Sequence, residues 1–543
     1  MRQSLILATL LVGLLPVGHS GATTPGGAVL RVRGADIVDG KGRPVVLRGV
    51  SFGNEVWTNV RLPRRHHDEA DYGRIAAMGM NAVRFYLNYR TFEADAAPGK
   101  YLDDGWQWLD DNIAWAKRHG VYLILNMHVP PGGFQSLGAG KALWDRPDVQ
   151  DRLIALWTAI ARHCKGEPTV AGYDLLNEPV VTRAASQWRD LAGRIAVAIR
   201  AVDPDHMLFV ERLNSIAGDW KEDGDRNFFR IADPNTVYEF HFYKPFHFTH
   251  QSASWVPFAA EGVRYPDARA EVEWFLLDRK AGTEASPRLP PGDSAWTFYP
   301  GAPFRVDDPA IVVGKPVLVV QNAGPGKVWF DDLTLEELDD AGKVKRVIWE
   351  KNLTGTRGWY FWTKDGKGGA VRSDNGHGDG ASIVAAGTVG DANLGADVLR
   401  FRAAPGATYR LSGWMRGEKI PPTATCQIRL DFFSSRAKVQ DSDRAFMEQE
   451  IDAFVAWGKR EKVPLFLGET GVIRFGFDDD RGGLRWVSDM LDIARARNLS
   501  FTYHAYHEDA FGIYRGSGTL PDPARANTPL IDLFTAKLAK PRK

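Results

Sequence analysis

A barrel of eight alternating strands and helices (α/β class, (β/α)8), interrupted by an inserted β-sandwich, is the fold predicted for this chain. Three observations predict it. Apolar runs of strand length alternate with helical patterns in both outer parts of the chain, as in a parallel sheet covered by helices. The stretch between them loses that alternation and becomes a series of short period-2 runs rich in Gly and Pro, as in a sandwich. Two of the apolar runs end on glutamate, at Glu178 and Glu469, and carboxylates at the carboxyl ends of parallel strands lie where barrels keep their chemistry.

The elements follow in order. Arg2 precedes an apolar run from Leu5 to Val17, with small residues at Ser20 and Ala22, so residues 1–22 read as a secretory signal too short to span a membrane. The mature protein is expected outside the cytoplasm, extracellular or periplasmic, and not membrane-bound. Val29–Arg33 and Ala35–Val38 flank Asp39-Gly40-Lys41-Gly42 as a small hairpin. Strands are predicted at Val46–Phe52, Ala82–Tyr89, Tyr122–Val129, Val170–Glu178, Met207–Leu213 and Thr236–Tyr243, with helices at His66–Met78, Trp106–His119, Pro147–His163 and Ala185–Val202 between them. From about Pro257 to Lys438 short strands take over, among them Ala310–Val320, Lys327–Leu335, Val344–Trp349, Val398–Ala403, Thr408–Met415 and Ala424–Phe433. Ala260–Pro291 has a partly helical pattern. Alternation then resumes with helix Asp441–Lys459, strand Val463–Gly468, helix Arg481–Ala496, strand Leu499–Tyr506 and helix Pro529–Leu538. The sandwich is therefore inserted between the sixth strand and its helix. The boundaries are 1–22 signal, 23–256 barrel, 257–437 sandwich and 438–543 barrel, which leaves roughly 340 residues for a barrel that typically takes about 250.

Composition narrows the function. In 543 residues, Lys+Arg 68 balance Asp+Glu 67 to a net +1, so nothing in the charge suggests nucleic acid or an anionic membrane as partner. The 18 Trp, 15 Tyr and 28 Phe supply flat faces on which sugar rings stack, although aromatics also fill cores. Cys164 and Cys426 fall in different predicted domains and are expected as free buried thiols. No His, Cys and carboxylate spacing suggests a metal, and no cofactor is expected.

The chemistry-bearing residues cluster at strand ends. Arg84 lies inside the second strand, His128 ends the third, Asn177 precedes Glu178, and His241 and Tyr243 end the sixth. Two facing carboxylates serve glycosidic cleavage, one donating a proton and the other attacking. Arg and Tyr beside a carboxylate hold it ionised. An Asn beside the acid bonds a sugar 2-hydroxyl, and a His tunes or relays the proton. A single strand-end Glu reads equally well as a buried ion-pair partner; seven such residues at successive strand ends do not.

Ala82-Val83-Arg84-Phe85-Tyr86, Leu125-Asn126-Met127-His128, Asn177-Glu178-Pro179, His241-Phe242-Tyr243 and Gly468-Glu469-Thr470-Gly471 carry a resemblance to glycoside hydrolase family 5, the cellulase-like retaining barrels, over roughly residues 29–256 and 438–540. The resemblance implies Glu178 as acid/base and Glu469 as nucleophile, supported by Arg84, His128, Asn177, His241 and Tyr243. One departure stands out. The family usually carries a Trp platform at the end of the eighth strand, whereas this chain reads Phe501-Thr502-Tyr503-His504-Ala505-Tyr506-His507. His504 takes that position, and Tyr506 is the candidate replacement face. Asn54, Glu55 and Trp57, after the first strand, are further substrate-binding candidates, and Glu211 reads as loop structure or a peripheral contact.

Two motifs are decoys. Gly49-Val50-Ser51-Phe52-Gly53 fits a nucleophile elbow, but a loop follows where a helix is required. Gly138-Ala139-Gly140-Lys141 lacks the spacing of a phosphate loop. In the insert, Lys327–Leu335 and Pro405–Trp414 are similar to the last and an earlier strand of carbohydrate-binding sandwiches, in reversed order, as after circular permutation. Trp359-Tyr360-Phe361-Trp362 should place Trp359 and Phe361 on one face and Tyr360 and Trp362 on the other; one face suits a core, the other a sugar platform or plain packing. The reading is a monomeric retaining hydrolase of β-linked glucan acting on polysaccharide or oligosaccharide, of the endo-β-glucanase kind. A β-mannanase, β-1,3-glucanase, exo-β-glucosidase or transglycosylase on the same barrel is the alternative, as is a non-catalytic polysaccharide-binding protein.

Overall fold

The computed structural model describes residues 27–538 apart from 59, 139, 219–226, 257–261, 272–276, 357–358, 365, 379, 397–398 and 436–438. The predicted signal at 1–22 lies outside them. Eight parallel strands close into a barrel in chain order: β1 (Arg48–Phe52), β2 (Ala82–Asn88), β3 (Tyr122–Val129), β4 (Val170–Asp174), β5 (Met207–Glu211), β6 (Thr236–His241), β7 (Leu465–Thr470) and β8 (Ser500–Tyr503), with β8 pairing back onto β1. Such strands are packed on both faces, so β3 is buried at every position and is apolar except at Asn126 and His128. The covering helices carry recognisable ends. Asp68 forms a capping box at the start of Glu69–Ala77, Pro147 opens Pro147–Cys164, and Gly120, with φ of 68°, ends Asp103–His119.

Along each strand the inward residues change character from amino to carboxyl end. Ala82, Ile124, Ala171, Phe209, Val237 and Phe466 join Leu30, Ile37 and Val45 of the N-terminal hairpin in one apolar cluster that fills one end of the barrel. Two residues on, where a strand again points inward, stand Arg84, Asn126, Glu211 and Glu239. The barrel thus has an apolar floor and a charged upper layer. Room for that layer is made by Gly468 on β7: a Cβ there would stand 1.6 Å from Oε1 of Glu239.

The chain divides into two compact units. One runs to Thr249, takes in Arg264–Pro266 and resumes at Asp443; the other comprises His250–Val263 and Asp267–Ser442. The second unit holds, among its described residues, two large antiparallel sheets. Leu277–Ala285, Thr425–Ser435, Ile311–Gln321, Ala392–Ala396 and Trp359–Thr363 form the first; Gly292–Tyr299, Thr408–Ile420, Lys327–Leu338, Ser382–Ala386 and Gly369–Ser373 form the second. Inward residues of both, including Leu318, Phe330, Leu335, Leu411, Met415, Ile428 and Phe432, make one core, the arrangement of a sandwich. Trp359 and Phe361 pack against that core, whereas Tyr360 and Trp362 are 64% and 41% exposed, as strand alternation requires.

Three expectations are corrected. The partly helical pattern of 260–291 gives way to strands Asp267–Glu271 and Leu277–Ala285, which pair with Val439–Ser442 and Thr425–Ser435; ladder partners distant in sequence override local pattern. β4 stops at Asp174, so Glu178 lies four residues past the strand, in a left-handed conformation with φ of 44°. β8 stops at Tyr503, so His504 and Tyr506 lie on the loop that follows. Cys164 and Cys426 are buried and unpaired, one in each unit. Among the described residues no helix is long and apolar enough to cross a membrane.

Candidate active site

Arg84 is the hub of the charged layer. It is completely buried, and its Nε donates to Asp174 Oδ2 at 2.7 Å and lies 3.1 Å from Glu239 Oε1. Its Nη1 donates to Glu469 Oε1 at 2.7 Å, and its Nη2 to Asn177 Oδ1 at 3.1 Å. The planar guanidinium therefore ties together β4, β6, β7 and the loop after β4, which a point charge on a flexible stem cannot do. Burial works against its charge, but the surrounding carboxylates outweigh that and keep the guanidinium protonated.

Glu469 accepts three further contacts. Tyr86 O–H donates to Oε1 at 2.6 Å, Tyr243 O–H donates to Oε2 at 2.9 Å, and His241 Nδ1 lies 3.6 Å from Oε2. Burial alone would raise this carboxyl, but positive charge at His241 and Arg84 among its neighbours more than reverses that, holding it well below the ordinary glutamate value. Burial and the adjacent Glu469 charge push the Tyr86 and Tyr243 hydroxyls well up, so both stay donors.

Glu178 sits opposite, with 23% of its side chain exposed. Its backbone N–H donates to Glu211 Oε2 at 2.6 Å, which pins the left-handed turn, and His241 Nδ1 donates to its Oε1 at 3.1 Å. A carboxylate oxygen of Glu178, one of Glu469 and a His241 nitrogen all lie within 4.8 Å of one another. His241 Nε2 faces Glu239 Oε1 at 3.4 Å. Burial disfavours charge on this imidazole, but Glu211 and Glu469 overcome it and raise its pKa well above the usual histidine range. Glu211 is itself driven well upward by burial, against the pull of His241 and with Glu239 and Glu178 adding to the rise.

The predicted residues divide cleanly. Arg84, Asn177, Glu178, His241, Tyr243 and Glu469 share one hydrogen-bonded network. His128 joins by packing: it stacks on Tyr86 at 4.0 Å and 17°, bonds Asn126, and burial keeps it neutral. Trp57 is 47% exposed and stands nearly perpendicular to Tyr86, His128 and His504 at centroid distances of 6.2, 5.5 and 5.9 Å. Asn54 and Glu55 are buried and serve the backbone, Asn54 donating to Tyr86 O at 2.8 Å and Glu55 accepting from Gly518 N. Tyr506 is fully buried, donates to Asp71 Oδ1 at 2.6 Å and packs on Phe52, so no stacking face is open on it. Its inward turn belongs to the loop after β8, which strand alternation does not govern.

Sequence position does not single out Tyr86, Asp174 or Glu239, and it makes Glu211 loop structure or a peripheral contact. The missing signal was the period of two. Tyr86 is two residues after Arg84 and Glu239 two before His241, each on the inward side of a strand already carrying a site residue. Two triads, Glu178–His241–Glu469 and Glu211–Glu239–His241, have spacing that suits a metal ion, which sequence spacing did not suggest. They share one imidazole, whose Nδ1 is already given to Glu178, so the triads read as parts of the proton network.

The chain is also similar to known proteins. The family model described as Cellulase (glycosyl hydrolase family 5) matches residues 38–278. Endoglucanase C of Acetivibrio thermocellus is 31% identical over 236 residues, covering 42% of this chain and 67% of its own length. A beta-xylosidase of Phanerodontia chrysosporium is 32% identical over 262 residues, 41% of this chain and 53% of its own. A probable glucan 1,3-beta-glucosidase A of Aspergillus fumigatus is 30% identical over 148 residues, 26% and 35% respectively.

Proposed function

Because the chain belongs to glycosyl hydrolase family 5 and is a glycoside hydrolase with a carbohydrate substrate, we propose that it cleaves β-linked glucan by double displacement between Glu178 and Glu469. The observation that carries this reading is the approach of the two carboxylates to within 4.8 Å. Retaining enzymes hold their carboxyls about 5–5.5 Å apart, whereas inverting ones need about 6.5–9.5 Å to admit a water.

In the first step a Glu469 oxygen attacks the anomeric carbon, the bond to the leaving oxygen breaks, and Glu178 gives that oxygen its proton. In the second step Glu178 takes a proton from water, the water oxygen bonds the anomeric carbon, and Glu469 leaves as carboxylate. The environments suit these parts. Glu469 is ionised and multiply hydrogen-bonded, while Glu178 is the more open group and meets His241, from which a proton is readily exchanged. In this reading Asn177, held by Arg84, bonds a sugar 2-hydroxyl and the half-exposed Trp57 stacks a ring, roles that their positions beside the carboxylates support.

An endo-acting β-glucanase is the leading reading, supported by the name of the Acetivibrio relative. A β-xyloside or β-1,3-glucoside substrate is second, supported by the names of the other two. The arginine-led apolar run at 5–17 supports export, tested by fractionating producing cells. The deciding experiment follows anomeric configuration by NMR across a polysaccharide panel and traps the intermediate with a 2-fluoro glycoside. Retention with the label on Glu469 is expected. Net inversion, or turnover by Glu469→Gln at wild-type rate, refutes the scheme.

A further inference from the structure

Tyr86 does not act on Glu469 alone. Its hydroxyl lies 2.6 Å from Glu469 Oε1 and 3.0 Å from His504 Nδ1, with Arg84 Nη1 at 3.3 Å. A hydroxyl has one proton. Glu469 as a carboxylate only accepts, so the proton of Tyr86 belongs to Oε1. The Tyr86 oxygen must then accept from His504, and the proton inventory fixes His504 as a donor through Nδ1. Its other nitrogen, Nε2, faces Glu508 Oε1 at 3.6 Å, and Glu508 is itself tied back by the backbone N–H of Phe511 at 3.0 Å. Glu508, His504, Tyr86 and Glu469 thus form one line of polar contacts from the loop after β8 to the candidate nucleophile.

The phenol cannot swing out of this line. Tyr86 is fully buried, with His128 stacked on it at 4.0 Å and His504 near parallel at 6.0 Å and 15°. The charged and titratable groups that meet His504 are Glu469 on β7, Tyr86 on β2, His128 on β3, Tyr243 just past β6, and Glu508 on its own loop; Arg84 and His241 act on its neighbours Glu469 and His128. Trp57 and Phe511 close the remaining sides at 5.9 and 5.5 Å.

We propose that His504, backed by Glu508, is a positioning residue for the nucleophile: by donating Nδ1–H to Tyr86 it commits the Tyr86 proton to Glu469 Oε1, anchoring that oxygen and leaving Oε2 to attack. The inference rests on the reading of Glu469 as nucleophile. Donors in series strengthen one another, and bonds to an ionised acceptor are the strong ones. The relay therefore stabilises Glu469 as a carboxylate and so as a leaving group in the second step. It occupies the position at which the resemblance leads one to expect an indole platform. The polar side chain there works on the enzyme's own nucleophile, which leaves sugar stacking to Trp57.

The test measures pH profiles of kcat/KM, together with kcat and KM, for the full chain carrying Tyr86→Phe, His504→Ala, both together, and His504→Asn, which retains a donor. Loss of one bond to the charged carboxylate should raise the acid limb by about one pH unit in each single variant. On aryl glycosides with good leaving groups kcat and KM should fall together, about tenfold, as glycosyl-enzyme accumulates. The double variant should move the limb no further than Tyr86→Phe alone, and His504→Asn should restore most of the shift. A His504→Ala shift that persists in the Tyr86→Phe background, or an unmoved limb in either single variant, overturns the relay. If His504→Ala fails to fold, His504→Phe fills the space without a donor, and an unmoved limb there overturns it equally. An active Glu469→Gln variant would instead remove the premise, so the two failures are distinguishable.

Discussion

Replacing Arg84 with methionine keeps roughly the same volume and removes the one guanidinium that Asp174, Glu239 and Glu469 share. All three carboxyls lie within 3.1 Å of it, and the arginine is completely buried. Breaking a buried pair by deleting one partner costs about 3–5 kcal/mol, because the remaining charge has no counterion. For a unit of roughly 350 residues, unfolding entropy near the midpoint is about 0.7 kcal/mol per degree, so this loss lowers the barrel's Tm by about 4–7 °C. The same substitution removes one of the two donors to Glu469 Oε1, so that carboxyl should need higher pH to ionise. Calorimetry and the acid limb of kcat/KM read the two effects separately. Adding Glu239→Gln and Asp174→Asn to Arg84→Met should recover part of the Tm, since two of the stranded charges are then gone, but should not recover the limb. Arg84→Met with unchanged Tm and an unmoved acid limb would refute the assignment of Arg84 as the hub of this network.

Three further outcomes follow from the geometry. Gly468→Ala places a methyl 1.6 Å from Glu239 Oε1 and must displace that carboxylate from Arg84 and His241; a loss of about 1–3 kcal/mol in stability is expected by calorimetry, with a fall in kcat. The carboxyl of Glu469 is held well below its ordinary value of 4.5, so the acid limb of wild-type activity should lie below pH 4.5. A depressed folded-state pKa contributes stability that is present above 4.5 and is lost on acidification toward the folded value, so acid titration followed by circular dichroism should show this loss only below 4.5. Cys164 and Cys426 are buried with thiol pKa values pushed up by burial, that of Cys426 to about 12; a thiol reagent should label neither in the native protein and both after denaturation.

Much of the barrel was legible because its signals are local. Apolar strands, helical periods, the capping Asp68 and the closing Gly120 all act within a few residues, so element types and order can be read along the chain. The facing carboxylates were legible for a related reason: Glu178 and Glu469 stand just beyond, or at the end of, strands that must be parallel, and all such ends open at one mouth. The rest was decided across the barrel. Whether Glu211 is peripheral depends on where the backbone N–H of Glu178 points, and that is set by a turn whose partner lies 33 residues away. His504 and Tyr506 look alike as candidate sugar contacts in the sequence. The fold sends Tyr506 inward to Asp71 and turns His504 onto Tyr86, contacts spanning 435 and 418 residues.

The sequence by itself determined the alternation of elements, the place of the insert and the two carboxylates, because each follows from local periodicity and from the polarity of a strand. Tertiary structure alone decided which buried charges share Arg84, that Tyr86 joins Tyr243 on Glu469, and which loop residue turns to the core and which to Tyr86. Hydrogen-bond direction and desolvation depend on neighbours that chain order does not reveal.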